Sequence, residues 1–109
     1  MKISKELLKG STATMILKVI SEGDTYGYRI SQELMSKSNN VFQLKEGTLY
    51  PILHTLEKSG LISSYKKIES GRERKYYKIT VLGTAKLASW VEEWAEFSRS
   101  VDTVLKGCL

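Results

Sequence analysis

The sequence predicts an α+β, mainly helical fold in which three short helices are followed by a β-hairpin and one long C-terminal helix. Three observations carry this expectation. Apolar residues recur at helical spacing in three successive stretches up to Gly60; the period shortens to that of a strand between Ile62 and Ile79; and the stretch from Val81 to about Lys106 lacks proline and repeats its apolar positions in heptads. At 109 residues, with 41% hydrophobic and 27% charged residues, the chain has the size of one compact domain. That leaves little material for a catalytic cleft with a lid.

In the first helix, from Leu8 to near Gly23, Met15, Ile16, Val19 and Ile20 share a face whose remaining place is filled by Thr12. The second takes Asp24 or Thr25 as its N-cap, sets Tyr26, Ile30 and Leu34 at successive i+4 steps, and ends in the polar run Ser36 to Asn40. The third begins at Glu46 or Gly47 and carries Leu49, Ile52, Leu53 and Leu56 inward until Ser59-Gly60. Pro51 is thereby expected within about the first turn, where a missing N–H is tolerated. Ile62 to Glu69 and Arg72 to Ile79 form two antiparallel strands turning at Ser70-Gly71. Thr80 caps the last helix, which has a glycine, Gly83, near its start.

This order is the plan of a winged helix-turn-helix with a long C-terminal dimerisation helix, the third helix standing in the recognition position and the hairpin forming the wing. Residues 1–80 are expected to form the winged-helix DNA-binding domain and residues 81–109 the dimerisation helix.

The net charge of +5 comes from 17 Lys and Arg against 12 Asp and Glu, and between residues 60 and 80 six cations face two carboxylates. Charge alone fits a solvated basic face as well as an anion-binding one. Its place on the wing favours nucleic acid, because crowded like charges repel unless a polyanion neutralises them. Helical spacing leaves Gly47, Tyr50, Pro51, His54 and Lys58 on the side of the third helix opposite its apolar stripe. Thr48 and Tyr50 offer hydroxyls to phosphates, and Gly47 permits close approach at the positive end of the helix dipole. The plainer alternative makes Gly47 a cap and packs Tyr50 against the second helix. On the second wing strand Arg74, Tyr76 and Lys78 face one way, while Lys75, Tyr77 and Ile79 face the other, with Tyr77 and Ile79 over the core. The candidate DNA-binding residues are Tyr28, Lys45, Gly47, Thr48, Tyr50, Pro51, His54, Lys67, Arg72, Arg74 and Lys75, with Arg72 and Arg74 best placed for a minor groove or its phosphates.

Along the last helix Leu87, Trp94 and Val101 take one heptad position, Trp90, Phe97 and Val104 the other, and Val91 widens the stripe. Two tryptophans and a phenylalanine on one seam would be a large exposed patch on a monomer, and a twofold homodimer is the simplest closure. The alternative is that the helix folds back on its own domain. Catalysis has no visible constellation: His54 is the only histidine, Cys108 the only cysteine, and Glu92, Glu93 and Glu96 most simply form a solvated face. We therefore expect no enzyme activity, cofactor, metal or disulfide. No apolar run approaches the ~20 residues of a membrane span, and a cytoplasmic location is expected.

The runs Gly47-Thr48-Leu49-Tyr50-Pro51, Leu56-Glu57-Lys58-Ser59-Gly60-Leu61-Ile62 and Gly71-Arg72-Glu73-Arg74-Lys75-Tyr76-Tyr77-Lys78-Ile79-Thr80 with Gly83 closely resemble the PadR family of bacterial transcriptional regulators, as do Tyr26-Gly27-Tyr28 with Ile30 and the opening Leu8-Lys9-Gly10. The resemblance spans nearly the whole chain. It implies a winged-helix repressor on a double-stranded DNA operator, dimeric through its terminal helices and responsive to a small planar aromatic or cationic effector. By length the chain resembles the short-tailed subgroup, which has a single C-terminal helix. Drug-responsive members of that subgroup carry a tryptophan that stacks on planar drugs at the dimer centre, and Trp94 is the matching position. Trp90, Glu96 and Phe97 complete the candidate effector-binding set, Glu96 as the partner of a cationic ligand. Ala95-Glu96-Phe97 before Ser98-Arg99 departs from that pattern, so a filled, ligand-free interface stands beside the pocket. The alternative function is a winged-helix protein–protein interaction module without a small-molecule effector.

Overall fold

A computed structural model describes residues 10–107. Helix α1, Thr12–Ser21, buries Thr12, Ile16, Leu17, Val19 and Ile20. Its expected beginning at Leu8 lies outside the described residues, as does Cys108.

The next element corrects the sequence reading. Thr25–Tyr26 is a short strand, β1, pairing antiparallel with Tyr77 and Tyr76, and neither Asp24 nor Thr25 caps the helix that follows. That helix, α2, spans Gly27–Lys37 with Tyr26 as an extended N-cap residue. Ile30 and Leu34 are buried as expected, but Tyr26 is not part of the core cluster. Two residues are too few for a period, so pairing with a distant strand overrides the local signal. Asp24 instead accepts a hydrogen bond from the Tyr65 hydroxyl at 2.7 Å.

Helix α3, Glu46–Lys58, buries Leu49, Leu53 and Leu56, with Ile52 packed partly against them. Pro51 is its sixth residue, in the second turn instead of the first. One N–H is therefore missing from the helix interior, opposite the carbonyl of Gly47. The chain leaves α3 through Gly60, at φ 79°, while the N–H groups of Gly60 and Leu61 satisfy the carbonyls of Glu57 and Leu56.

Strands β2, Ile62–Glu69, and β3, Arg72–Ile79, have the expected bounds. Positive φ at Ser70 (50°) and Gly71 (76°) marks the two-residue hairpin turn whose twist matches that of the flanking strands. The sheet order is β1-β3-β2. Helix α4 runs from Val81 to Lys106, capped by Thr80, whose Oγ1 accepts the Gly83 N–H at 2.9 Å. Gly83 and Leu87 are buried, and Trp90 packs against the same core as α1, α2 and α3. The core thus lies between the three short helices, the inner sheet face and the first turns of α4. Among the described residues no helix is long and apolar enough to cross a membrane.

Candidate nucleic-acid interface

Helix α3 exposes the side the spacing marked. Gly47, Thr48, Tyr50, Pro51, His54 and Lys58 are exposed, Lys45 is the extended residue before the first turn, and Tyr28 stands exposed at the start of α2. Tyr50 meets both descriptions given for it. Its ring closes against Gly27, where a Cβ would lie 2.3 Å from the Tyr50 hydroxyl oxygen, yet the side chain stays nearly half exposed. Gly27 is thus what lets the two helices approach while Tyr50 reaches the surface. Because the clash is with the movable end of a side chain, Gly27→Ala should cost only about 1 kcal/mol in stability while swinging the Tyr50 ring outward. A clear loss of preference for the selected DNA site with little change in melting temperature is expected. Unaltered discrimination between sites would show that Tyr50 does not depend on this seat.

On the wing the register pairs Lys66 with Lys75, Lys67 with Arg74 and Glu69 with Arg72. Strand alternation then divides the cations. Lys66 and Lys75 share the inner face with Tyr77, toward α3, whereas Lys67, Arg72 and Arg74 share the outer face with Tyr76. The wing carries more compensation than its composition implied. Lys66 pairs with Glu73 at 3.6 Å, Lys67 and Arg74 with Glu69 at 4.0 and 3.8 Å, and Lys75 with Glu57 of α3 at 3.6 Å. Repulsion between like charges is thus relieved partly within the protein. Arg72 and Lys78 lack an ion-pair partner among the described residues.

Glu57 ties the recognition helix to the wing. It accepts the Ser64 hydroxyl and faces Lys75, which together hold its carboxyl below the ordinary carboxylate range. In the sequence Glu57 stands only within the Leu56 to Ile62 run, eighteen residues from Lys75, and no local spacing links the two. Tyr26 and Arg29 were missed as well: the Arg29 guanidinium stands 5.0 Å and that of Arg74 4.4 Å from the centre of the Tyr26 ring. Their i, i+3 spacing was visible, but only β1 pairing turns Tyr26 to the outer sheet face, where Tyr76 is buried beside it.

The apolar positions of α4 divide in two. Leu87 is only 8% exposed in the protein's own core, and Trp90 is partly buried against it, which corrects the assignment of both wholly to a seam between copies. The helix does fold back over its first turns, because its start is pinned by Gly83 against Leu61 and Ile79 and by the Thr80 hydroxyl donating to the Gly60 carbonyl. Beyond Trp90 the described residues leave it largely uncovered: Val91 is exposed, Trp94 is 50% exposed, Phe97 60% and Val104 78%, with Val101 half-buried. The Trp94 and Phe97 rings stand 5.9 Å apart.

A cleft of about 730 Å³ runs between α4 and the start of α1, lined by Trp90, Glu93, Trp94 and Phe97, by Gly10 to Met15 except Thr12, and by Phe42. Glu96 does not line it. It is paired with Arg99 on another side of the helix, because two residues beyond Trp94 the helix has turned about 200°. Glu93 is the carboxylate in the cleft, and counting at 100° per residue from Trp94 would have found it.

The PadR-like family of transcriptional regulators, as a family model, matches residues 16–89. The chain is similar to a transcriptional regulator of Mycobacterium tuberculosis, 32% identical over 97 residues, covering 89% of this chain and 88% of that protein. It is also similar to the solved structure of a transcriptional regulator from Clostridium thermocellum, at 35% identity and a TM-score of 0.85, covering 91% of this chain and 97% of that one. A PadR-like transcriptional regulator from Bacillus cereus matches at 34% identity and a TM-score of 0.80, over 93% and 97% of the two chains. The chain therefore belongs to the PadR-like family of transcriptional regulators: it is a winged-helix DNA-binding regulator and not an enzyme.

Proposed function

We propose that this regulator acts as a homodimeric repressor, pairing through α4, and that a small planar aromatic compound, favoured if cationic, releases it from its operator. The observation that carries this reading is the Trp94–Phe97 pair, half or more exposed beside a cleft with Glu93 on its wall. An aromatic wall with one carboxylate suits a flat cation, through ring stacking, cation–π attraction and charge. A second copy covering the same stripe would bring two such clefts near the twofold axis. DNA contacts from α3 and the wings of two protomers would then fall on half-sites about 10 base pairs, or a multiple of that, apart.

The test is a titration with planar aromatic cations, read by tryptophan fluorescence on the free protein and by anisotropy of labelled operator DNA. Wild type should show quenching together with DNA release, and Trp94→Ala should bind the ligand about tenfold more weakly, the loss of about 1.4 kcal/mol of ring contact. Release is required as well as quenching, since a ligand shifts DNA affinity only if it prefers one of two arrangements of the dimer. Equal binding by both proteins would move the site elsewhere. No binding by either would leave the tryptophans as packing between copies and favour a regulator without a small-molecule effector.

A further inference from the structure

On the outer face of the sheet three cations stand around the adjoining, mutually tilted rings of Tyr26 and Tyr76, with the Glu69 carboxylate among them. Arg29 comes from α2 and Arg74 from β3, and both stand over the Tyr26 ring, at 5.0 and 4.4 Å from its centre. The Tyr76 ring lies 5.4 Å from that of Tyr26, and Lys67 Nζ is 4.9 Å from the centre of Tyr76. Glu69 is the carboxylate, 3.8 Å from Arg74 and 4.0 Å from Lys67, and it already accepts the Tyr76 hydroxyl. That hydrogen bond, followed by the charges of Lys67, Arg74 and Arg29, holds the Glu69 carboxyl below its ordinary range. One negative charge thus answers three positive ones. Arg29, exposed, has no ion-pair partner among the described residues.

Fastening the wing to the helical body would require a single cation on Tyr26. A second guanidinium brought to the same ring from another element adds repulsion that fastening does not explain. An aromatic ring attracts a guanidinium through its charge without consuming its N–H donors, so both arginines keep hydrogen-bonding capacity for an anion. The patch also adjoins Tyr28 along the chain and shares a sheet face with Arg72, so it extends the candidate interface sideways, from the start of α2 to the wing.

We propose that Arg29, Arg74 and Lys67, seated on the Tyr26–Tyr76 ring pair, form a phosphate-binding surface that grips the DNA backbone beyond the base pairs met by α3. This rests on the family's DNA binding and adds Arg29, with the ring pair that seats it, to the Lys67 and Arg74 already expected on DNA. The ligand is a phosphodiester of duplex DNA, and contacts to the backbone add affinity without direct sequence readout.

The test measures the affinity of the full-length protein for a labelled duplex of about 30 base pairs, carrying a site selected from random DNA, and for the same duplex trimmed to its half-sites. Each is followed over a range of salt for wild type, Arg29→Met and Arg29→Lys. Release of counterions from one phosphate per protomer gives each Arg29 a share of about 0.9 in the slope of log K against log salt. For a dimer the Arg29→Met slope on the long duplex should therefore be shallower by about 2, with an unchanged melting temperature, while Arg29→Lys keeps the wild-type slope. Trimming should flatten the slope of both proteins, and that of wild type more, because Arg29→Met keeps Arg74 and Lys67 on the flank but has already lost the Arg29 share. A wild-type slope in Arg29→Met, with a lowered melting temperature, would overturn the proposal and make Arg29 a strut for the wing. Wild type lacking salt-dependent binding on either duplex would overturn the DNA reading itself.

Discussion

Phe97→Glu is expected to turn a dimer into a monomer that still folds. The side chain is 60% exposed within its own chain and belongs to α4 beyond the turns that the core holds, so a carboxylate there meets solvent in the isolated protomer. In the proposed dimer the same carboxylate is buried without a partner, twice over, by the twofold axis. An unpaired buried charge costs at least about 3 kcal/mol, which weakens association more than about a hundredfold. Sedimentation at micromolar concentration should show monomer with a wild-type circular dichroism spectrum. DNA affinity should fall with it, since one protomer engages only one half-site. If the variant remains dimeric, copies pair elsewhere, and the exposed stripe of α4 needs another account.

Gly83→Ala should be the most damaging single methyl in the chain. At an exposed interior helix position alanine is favoured over glycine by about 1 kcal/mol. Here a Cβ would stand 2.0 Å from the Leu61 carbonyl oxygen and 2.8 Å from Ile79. The carbonyl cannot yield cheaply, because it accepts both the Thr80 N–H at 3.1 Å and the Thr80 hydroxyl at 3.0 Å. The start of α4 must therefore lift from the sheet edge, taking Leu87 and Trp90 out of the core. Overpacking of this kind costs up to about 3 kcal/mol, enough to outweigh the propensity gain, and corresponds to a fall of roughly 10 to 20 °C in melting temperature for a domain of this size. A melting temperature equal to or above that of wild type would show that α4 does not seat this closely.

The residues that act with their near neighbours were legible as text. The α3 stripe, the Ser70-Gly71 turn with its two strands, the Thr80 cap and the full run of α4 all have the expected bounds. Each depends on spacing, turn chemistry or capping within a few residues. The exposed side of α3 and the division of the wing's cations between two faces follow from the same periods.

What spacing could not show is which partner each face meets. A heptad stripe is equally apolar whether it packs on its own domain or on a second copy. The pinning of Gly83 against Leu61 commits Leu87 and Trp90 to the core and leaves Trp94 and Phe97 bare. Tyr26 sits at helical spacing from Ile30, yet two backbone pairings with β3 place it on the sheet instead, between Arg29 and Arg74. Excess charge on the wing was countable, but its neutralisation by Glu57 from α3 required two distant segments to meet. The sequence by itself determined the elements and their faces, because backbone hydrogen bonding and side-chain period are local. Only the tertiary structure decided which surfaces stayed open, because that choice compares contacts between segments far apart in the chain.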